Sequence, residues 1–120
     1  TQTLATALSG KDAPSIVNIT SIDDVIPGSA TLLYGGFAYA GSDKEMAYEA
    51  RFSGLLKLLA PSVDKPIVFY SRGRNWHGAN AALRAVKLGY RNVGWYRGGL
   101  ESWKAANLPL AKAVINAVVQ

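Results

Sequence analysis

Apolar positions along this chain come in blocks of two kinds. Residues 15–19 (Ser-Ile-Val-Asn-Ile) and 30–34 (Ala-Thr-Leu-Leu-Tyr) are short and rich in β-branched and aliphatic side chains, as strands are, and Ile26-Pro27-Gly28-Ser29 is a turn between them. Residues 66–70 (Pro-Ile-Val-Phe-Tyr) are nearly all apolar, which predicts a strand buried on both faces inside a parallel sheet. Residues 92–96 form a further strand. Between the strands the period lengthens to that of helices. Ser42-Asp43-Lys44-Glu45 is a capping box, the serine serving the N3 amide and the glutamate reaching back. It predicts a helix over 42–60 with Met46, Ala50, Leu55, Leu56 and Leu59 as its apolar face, stopped by Pro61. A second helix follows residue 77, with Ala79, Ala82, Leu83 and Val86 inward, Arg84 and Lys87 outward and Gly89 just past its end. A short third helix spans 100–106, before Pro109.

Strand, loop, helix, strand, loop, helix is the rhythm of an α/β domain: a central, mostly parallel sheet with helices on both faces. The expected division is a polar lead-in over 1–14 that wraps the body loosely, one domain over 15–110, and a tail over 111–120 that is either a helix or an edge strand. Trp95 and Trp103 read as core, and Trp76 as a packed aromatic or the roof of a pocket.

Composition narrows the chemistry. Of 120 residues, 49% are apolar and 18% charged, which is enough for a real core and excludes wholesale disorder. No cysteine is present, so disulfides, thiolate metal sites and thiol nucleophiles are excluded, and a single histidine argues against a multi-histidine zinc site. No cofactor or metal is expected. No apolar run approaches the ~20 residues of a membrane span, and the chain begins at Thr1, as a processed or excised chain does. The net charge of +5 is unevenly placed: Arg72, Arg74, Arg84, Lys87, Arg91, Arg97 and Lys104 face only Glu101 within 71–104, a local net of +6. That stretch is either a solvated basic surface or an electropositive mouth for an anion. Nucleic acid is not expected, because no base-reading motif accompanies the charge.

In parallel sheets ligands sit beyond the carboxyl ends of the strands, which singles out residues 71–77. This loop leaves the most apolar strand and feeds a helix N-terminus, where amides are unpaired and the dipole is positive. Gly73 lets the backbone curl into an anion nest, Arg72 and Arg74 add guanidinium forks, and Asn75, Trp76 and His77 complete the rim. Sulfate, phosphate or thiosulfate would suit such a cradle, with Ser71 at the nucleophile position in its centre. Gly98-Gly99 reads as a turn near this loop that needs glycine dihedrals, and the Gly35-Gly36 and Gly41 stretch as a lid or rim.

The strand Ile67-Val68-Phe69-Tyr70-Ser71, the Asn80-Ala81-Ala82 that follows its loop, Leu88-Gly89-Tyr90-Arg91-Asn92-Val93, and the stretch from Gly98-Gly99-Leu100-Glu101-Ser102-Trp103 to Pro109-Leu110 resemble the C-terminal half of a rhodanese domain. Ile26-Pro27-Gly28-Ser29 resembles that family's early Ile-Pro-Gly-Ala turn. The loop spacing is similar to a bacterial quinoprotein-associated subgroup with Cys-x-x-x-Cys-Trp, whose two cysteine positions are here Ser71 and Asn75. The resemblance implies a sulfurtransferase, in which the first loop residue is a cysteine that accepts sulfane sulfur. Serine forms no persulfide, so this chain is expected to show no turnover. Further departures are Asn18 and Thr20 where the family has Asp and Arg, and Asp24-Val25 where it has Gly-His.

Three readings stay open. The first is a rhodanese-like domain without its nucleophile, binding a small anion, a sulfur species or a partner protein at residues 71–77. The second is an active thiosulfate or persulfide sulfurtransferase whose cysteine has been replaced by Ser71. The third is a phosphatase- or arsenate-reductase-like relative, suggested by a loop one residue longer than usual but with His77 where a loop-closing arginine would fall. A Ser71–His77 hydrolytic pair is disfavoured, since no carboxylate lies near His77 in sequence to orient it. The subgroup resemblance and the processed-looking start make an exported location the expectation.

Overall fold

The computed structural model describes residues 2–10, 13–36, 42–73 and 75–119, with the backbone alone at Gln2 and Ser42. Along them run α1 (Gln2–Leu8), β1 (Ser15–Asn18), β2 (Asp24–Val25), β3 (Ala30–Leu33), α2 (Ser42–Leu59), β4 (Ile67–Tyr70), α3 (His77–Lys87), β5 (Val93–Trp95), α4 (Gly99–Ala105), β6 (Ala111–Lys112) and β7 (Ile115–Val118). Five strands form one sheet in the order β5-β4-β1-β3-β7, and every neighbouring pair is parallel. β2 and β6 form a small antiparallel pair apart from it. The α/β architecture expected from the sequence is the one observed.

Strand alternation sends successive side chains to opposite faces. Val17, Ile19, Leu32, Ile67 and Phe69 meet Tyr48, Phe52 and Leu56 of α2 and Ala81, Ala82 and Ala85 of α3. On the other face Ile16, Ile26 and Tyr70 meet Leu100 and Trp103 of α4, with Leu4, Ala5 and Leu8 of α1 packed against them. Part of the supposed lead-in is therefore a helix that covers the second face.

α2 keeps Leu55, Leu56 and Leu59 in or against the core as expected but departs from the expected face in its first half, and α3 is turned from the face its periodicity suggests. α2 buries Tyr48, Phe52 and Leu56 while Met46 is 69% exposed, because an i, i+4 aromatic ridge removes more area from water than Met and Ala do. α3 buries Gly78, Ala81, Ala82, Arg84 and Ala85 and leaves Leu83 and Val86 exposed. Small residues let α3 approach the sheet. Arg84 is tolerated inside because its guanidinium pairs with Glu45, lies 3.3 Å from Glu49 and sits 4.5 Å above the Tyr48 ring. The Ser42 side chain of the capping box lies outside the described residues. Gly89, with φ +98, stands just past α3 as expected.

The ambiguous tail resolves as strand. β7 pairs with β3 across a register shift at Thr31/Leu32, where the Thr31 amide donates to Asn116 Oδ1 at 2.8 Å.

Candidate functional site

β4 ends at Tyr70, and the chain leaves the sheet between the carboxyl ends of β1 and β5. The loop 71–77 is built from both sides. Ser71 O accepts from the Leu100 amide at 3.0 Å and Arg72 O from the Glu101 amide at 2.9 Å, so the first turn of α4 holds its floor. Gly99 makes this approach, since its φ is +63 and a Cβ there would lie 2.5 Å from Ser71 O. On the other side the Arg72 amide donates to Thr20 Oγ1 at 2.8 Å, and the Thr20 amide in turn donates to Oδ1 of the buried Asn18 at 3.3 Å. Asn18 itself donates to Ser21 O and Thr31 Oγ1 and accepts from the Ser21 amide, a closed set that fixes the β1 end.

Ser71 does not stand in an open mouth. It is wholly buried, and its hydroxyl faces Gly73 O at 3.0 Å and Asn75 Oδ1 at 2.8 Å. Asn75 is the hub: its Oδ1 also accepts from the His77 amide at 3.1 Å, and its own amide donates to Gly73 O at 3.0 Å. The expected nest of inward donors is therefore engaged by the chain's own oxygens at Arg72, Asn75 and His77. Glu101 adds like charge for any anion, because its carboxylate carbon would lie 2.8 Å from a Cβ on Gly73. The sequence placed the Ser71 hydroxyl at the centre of a ring of free donors. Folding inverts that, because a short polar loop beside a buried strand satisfies its own groups first.

His77 opens α3, and its ring nitrogen Nδ1 lies 3.3 Å from Gly36 O, which also accepts from Asn80 Nδ2 at 2.9 Å. His77 is thus aimed at the β3 side, away from the bonds made by Ser71. Gly36, expected as rim, packs so closely that a Cβ would lie 2.6 Å from His77 Cα. Residues 37–41 lie outside the described residues, as does Arg74. Trp76, read as packed or roofing, is 73% exposed and stacks on Trp95 with ring centroids 6.1 Å apart. Trp103 is core as expected, its indole N–H donating to Pro109 O at 2.7 Å. Arg72 and Arg97 are exposed at this end of the sheet. Neither Asn75 as hub nor Arg97 stood out in the sequence. The Asn75-Trp76-His77 start of a helix was the signal for the first.

Residues 2–106 match the rhodanese-like domain family. The chain belongs to that family. Among solved structures, the Alr3790 protein of Anabaena is 18% identical, with 95% of this chain and 91% of that one covered and a TM-score of 0.71. SseA from Escherichia coli, whose structure describes the rhodanese fold of 3-mercaptopyruvate sulfotransferases, is 16% identical over 97% of this chain and 51% of its own, with a TM-score of 0.68. The polysulfide-sulfur transferase homodimer of Wolinella succinogenes is 13% identical over 92% of this chain and 73% of its own, with a TM-score of 0.61. At these identities the likeness is one of fold. No curated protein sequence matches the chain. No group of three or more metal-ligating side chains occurs among the described residues of this rhodanese-like domain, and none of their helices is long and apolar enough to cross a membrane.

Proposed function

We propose that this rhodanese-like domain works by recognition rather than sulfur transfer. In this reading residues 71–77 bind a small anion, a sulfur species or a partner protein with Ser71 as a silent occupant of the nucleophile position. The single supporting observation is the wholly buried Ser71 hydroxyl, turned onto Gly73 O and Asn75 Oδ1 at the end of β4. A hydroxyl ionises far less readily than a thiol and is here spent as a donor, so it has neither the charge nor the access of a nucleophile. Because the inner donors are engaged, recognition falls to the outer rim, where Arg72 and Trp76 are exposed and Arg74 adjoins them in sequence. The matching of Ser71 and Asn75 to the cysteine positions of the quinoprotein-associated subgroup belongs to this same reading.

One observation favours the second reading, a sulfurtransferase with its cysteine replaced. Ser71 differs from cysteine by one atom and stands at the carboxyl end of an inner parallel strand, where α/β folds place their chemistry. A thiolate there would attack the sulfane sulfur of thiosulfate, form a persulfide and expel sulfite. Cyanide would then take the sulfur as thiocyanate and restore the thiolate.

Thiosulfate:cyanide transfer tests both readings. This chain is expected to give no thiocyanate above background. Ser71→Cys, folded by circular dichroism, is expected to stay silent under the first reading, and sustained turnover by it would establish the second. By calorimetry, Arg72→Ala is expected to weaken thiosulfate or sulfate binding by about tenfold, as loss of a charge-assisted contact does. Unchanged affinity would remove the loop rim from the reading.

A further inference from the structure

Beside the loop, Asn75, Trp76, Trp95 and Arg97 line a cavity of about 120 Å³. Three features set it apart. Trp76 is 73% exposed, an unusual position for the largest apolar side chain, yet it does not swing free: its ring lies 28° from the plane of Trp95, with centroids 6.1 Å apart. Trp95, half-buried on β5, packs against the main core and so fixes the shelf from below. Its buried indole N–H has no acceptor among the described residues, leaving a donor beneath the stack.

Arg97 has no ion-pair partner among the described residues. Elsewhere in the basic stretch three cations are paired, Arg84 with Glu45 and Glu49, Arg91 with Asp64 at 3.3 Å and Lys104 with Asp24 at 3.3 Å, while Lys87 is exposed at the far end of α3. At this end of the sheet Arg72 and Arg97 both remain exposed, and neither has an ion-pair partner among the described residues.

We infer that Trp76, Trp95 and Arg97 form an anchor site for an acidic segment of a partner protein. In it an apolar or aromatic side chain lies on the exposed indole and a neighbouring carboxylate pairs with Arg97. This rests on the recognition reading above and deepens it, taking Trp76 from the outer rim and adding Trp95 and Arg97 beside the loop. A cavity of this size is well below the ~300–1,000 Å³ of small-molecule sites. Tryptophan and arginine are the residue types that carry interface energy, and the Trp76–Trp95 stack is formed before contact. Positive charge left unpaired selects an acidic partner. The carboxylate of Glu101 beside Gly73 repels an acidic segment from the loop centre.

The test uses the three indole N–H signals in ¹⁵N-resolved NMR of the whole chain. The probe is a capped peptide of Asp-Glu-Leu-Tyr repeats, compared with its lysine-for-acid counterpart and with benzoate. The acidic peptide is expected to move the Trp76 and Trp95 indole signals and to leave that of Trp103, which is bonded to Pro109 O. Trp76→Ala and Arg97→Ala are each expected to weaken binding by about tenfold or more. Arg91→Ala, which removes an exposed cation already paired, is expected to change it by less than about twofold. Equal weakening by Arg91→Ala means undirected charge attraction and overturns the site. Benzoate binding as tightly with the same shifts means a small-molecule pocket and overturns the partner. Absence of indole shifts at millimolar peptide overturns both. Thiosulfate binding is read separately at the Gly73 amide, so failure of the loop reading and failure of the anchor site are told apart.

Discussion

Gly36 shows how much one missing Cβ decides. The glycine-rich stretch around it looked like a rim in the sequence, and nothing there announced that its backbone would lie against the first residue of α3. A Cβ would lie 2.6 Å from His77 Cα, so Gly36→Ala must push β3 and α3 apart. The expected cost is about 1–3 kcal/mol, the range of overpacking, read as a lower urea midpoint at unchanged m-value. Asn75 is the opposite case, a polar residue that gathers three loop groups through its side chain and amide. Asn75→Ala is expected to lose about 1–2 kcal/mol and to speed hydrogen exchange at the His77 amide. Exchange as slow as in the parent chain would show that the hub is dispensable. Ser71 was legible as the residue at the strand end. Its burial was not, because the loop's hydrogen-bond partners come from Asn75, α4 and Thr20 at once.

The orientation of α3 is the clearest lesson at the level of elements. Its helical period was legible, as were its start, expected after residue 77 and observed at His77, and the glycine beyond its end, since these depend on local backbone chemistry. Which side faces the sheet was not, because Leu83 and Arg84 exchange the roles that hydropathy assigns them. The choice turns on Glu45, Glu49 and Tyr48, which lie on another helix. Arg84→Ala is expected to destabilise by about 1–3 kcal/mol, below the range of a fully buried pair because both glutamates are partly exposed. Arg84→Met, which keeps the packed stem, is expected to lose less than Arg84→Ala by chemical denaturation. Equal losses by the two would mean that charge, not packing, holds α3 to α2.

Stability of the whole molecule should fall at both ends of the pH scale for identifiable reasons. Lys112 and Lys104 beside Asp24 hold its carboxyl below the ordinary range and tie the β2–β6 pair to α4. That contribution is present above the unfolded carboxylate pKa and is lost as pH falls through the lowered folded value. Asp24→Asn is therefore expected to flatten the acid limb of a melting-temperature profile, and an unchanged limb would assign acid sensitivity elsewhere. At the other end, burial pushes the Tyr70 hydroxyl up despite its bonds to Ser29 and the Ile26 amide, and burial raises Tyr90 likewise. Their contribution is complete below the unfolded tyrosine pKa near 10 and is lost as pH rises through the raised folded values. Tyrosinate absorbance from this pair is expected to appear together with unfolding. Its appearance in the folded protein would contradict their burial.

By itself the sequence determined the α/β class, the parallel inner strand, the spans of the main helices and the position of the loop at the strand end. These follow from short-range periodicity, capping and the lack of charge in a buried strand, which every window of the chain carries within itself. The rotation of α3, the aromatic ridge in the first half of α2, the helix in the first residues and the strand in the last were decided by tertiary structure. So were the sealing of Ser71 and the shelf of Trp76 on Trp95. Each depends on groups far apart in the chain, on hydrogen bonds that compete for the same donors, and on how closely two backbones can approach.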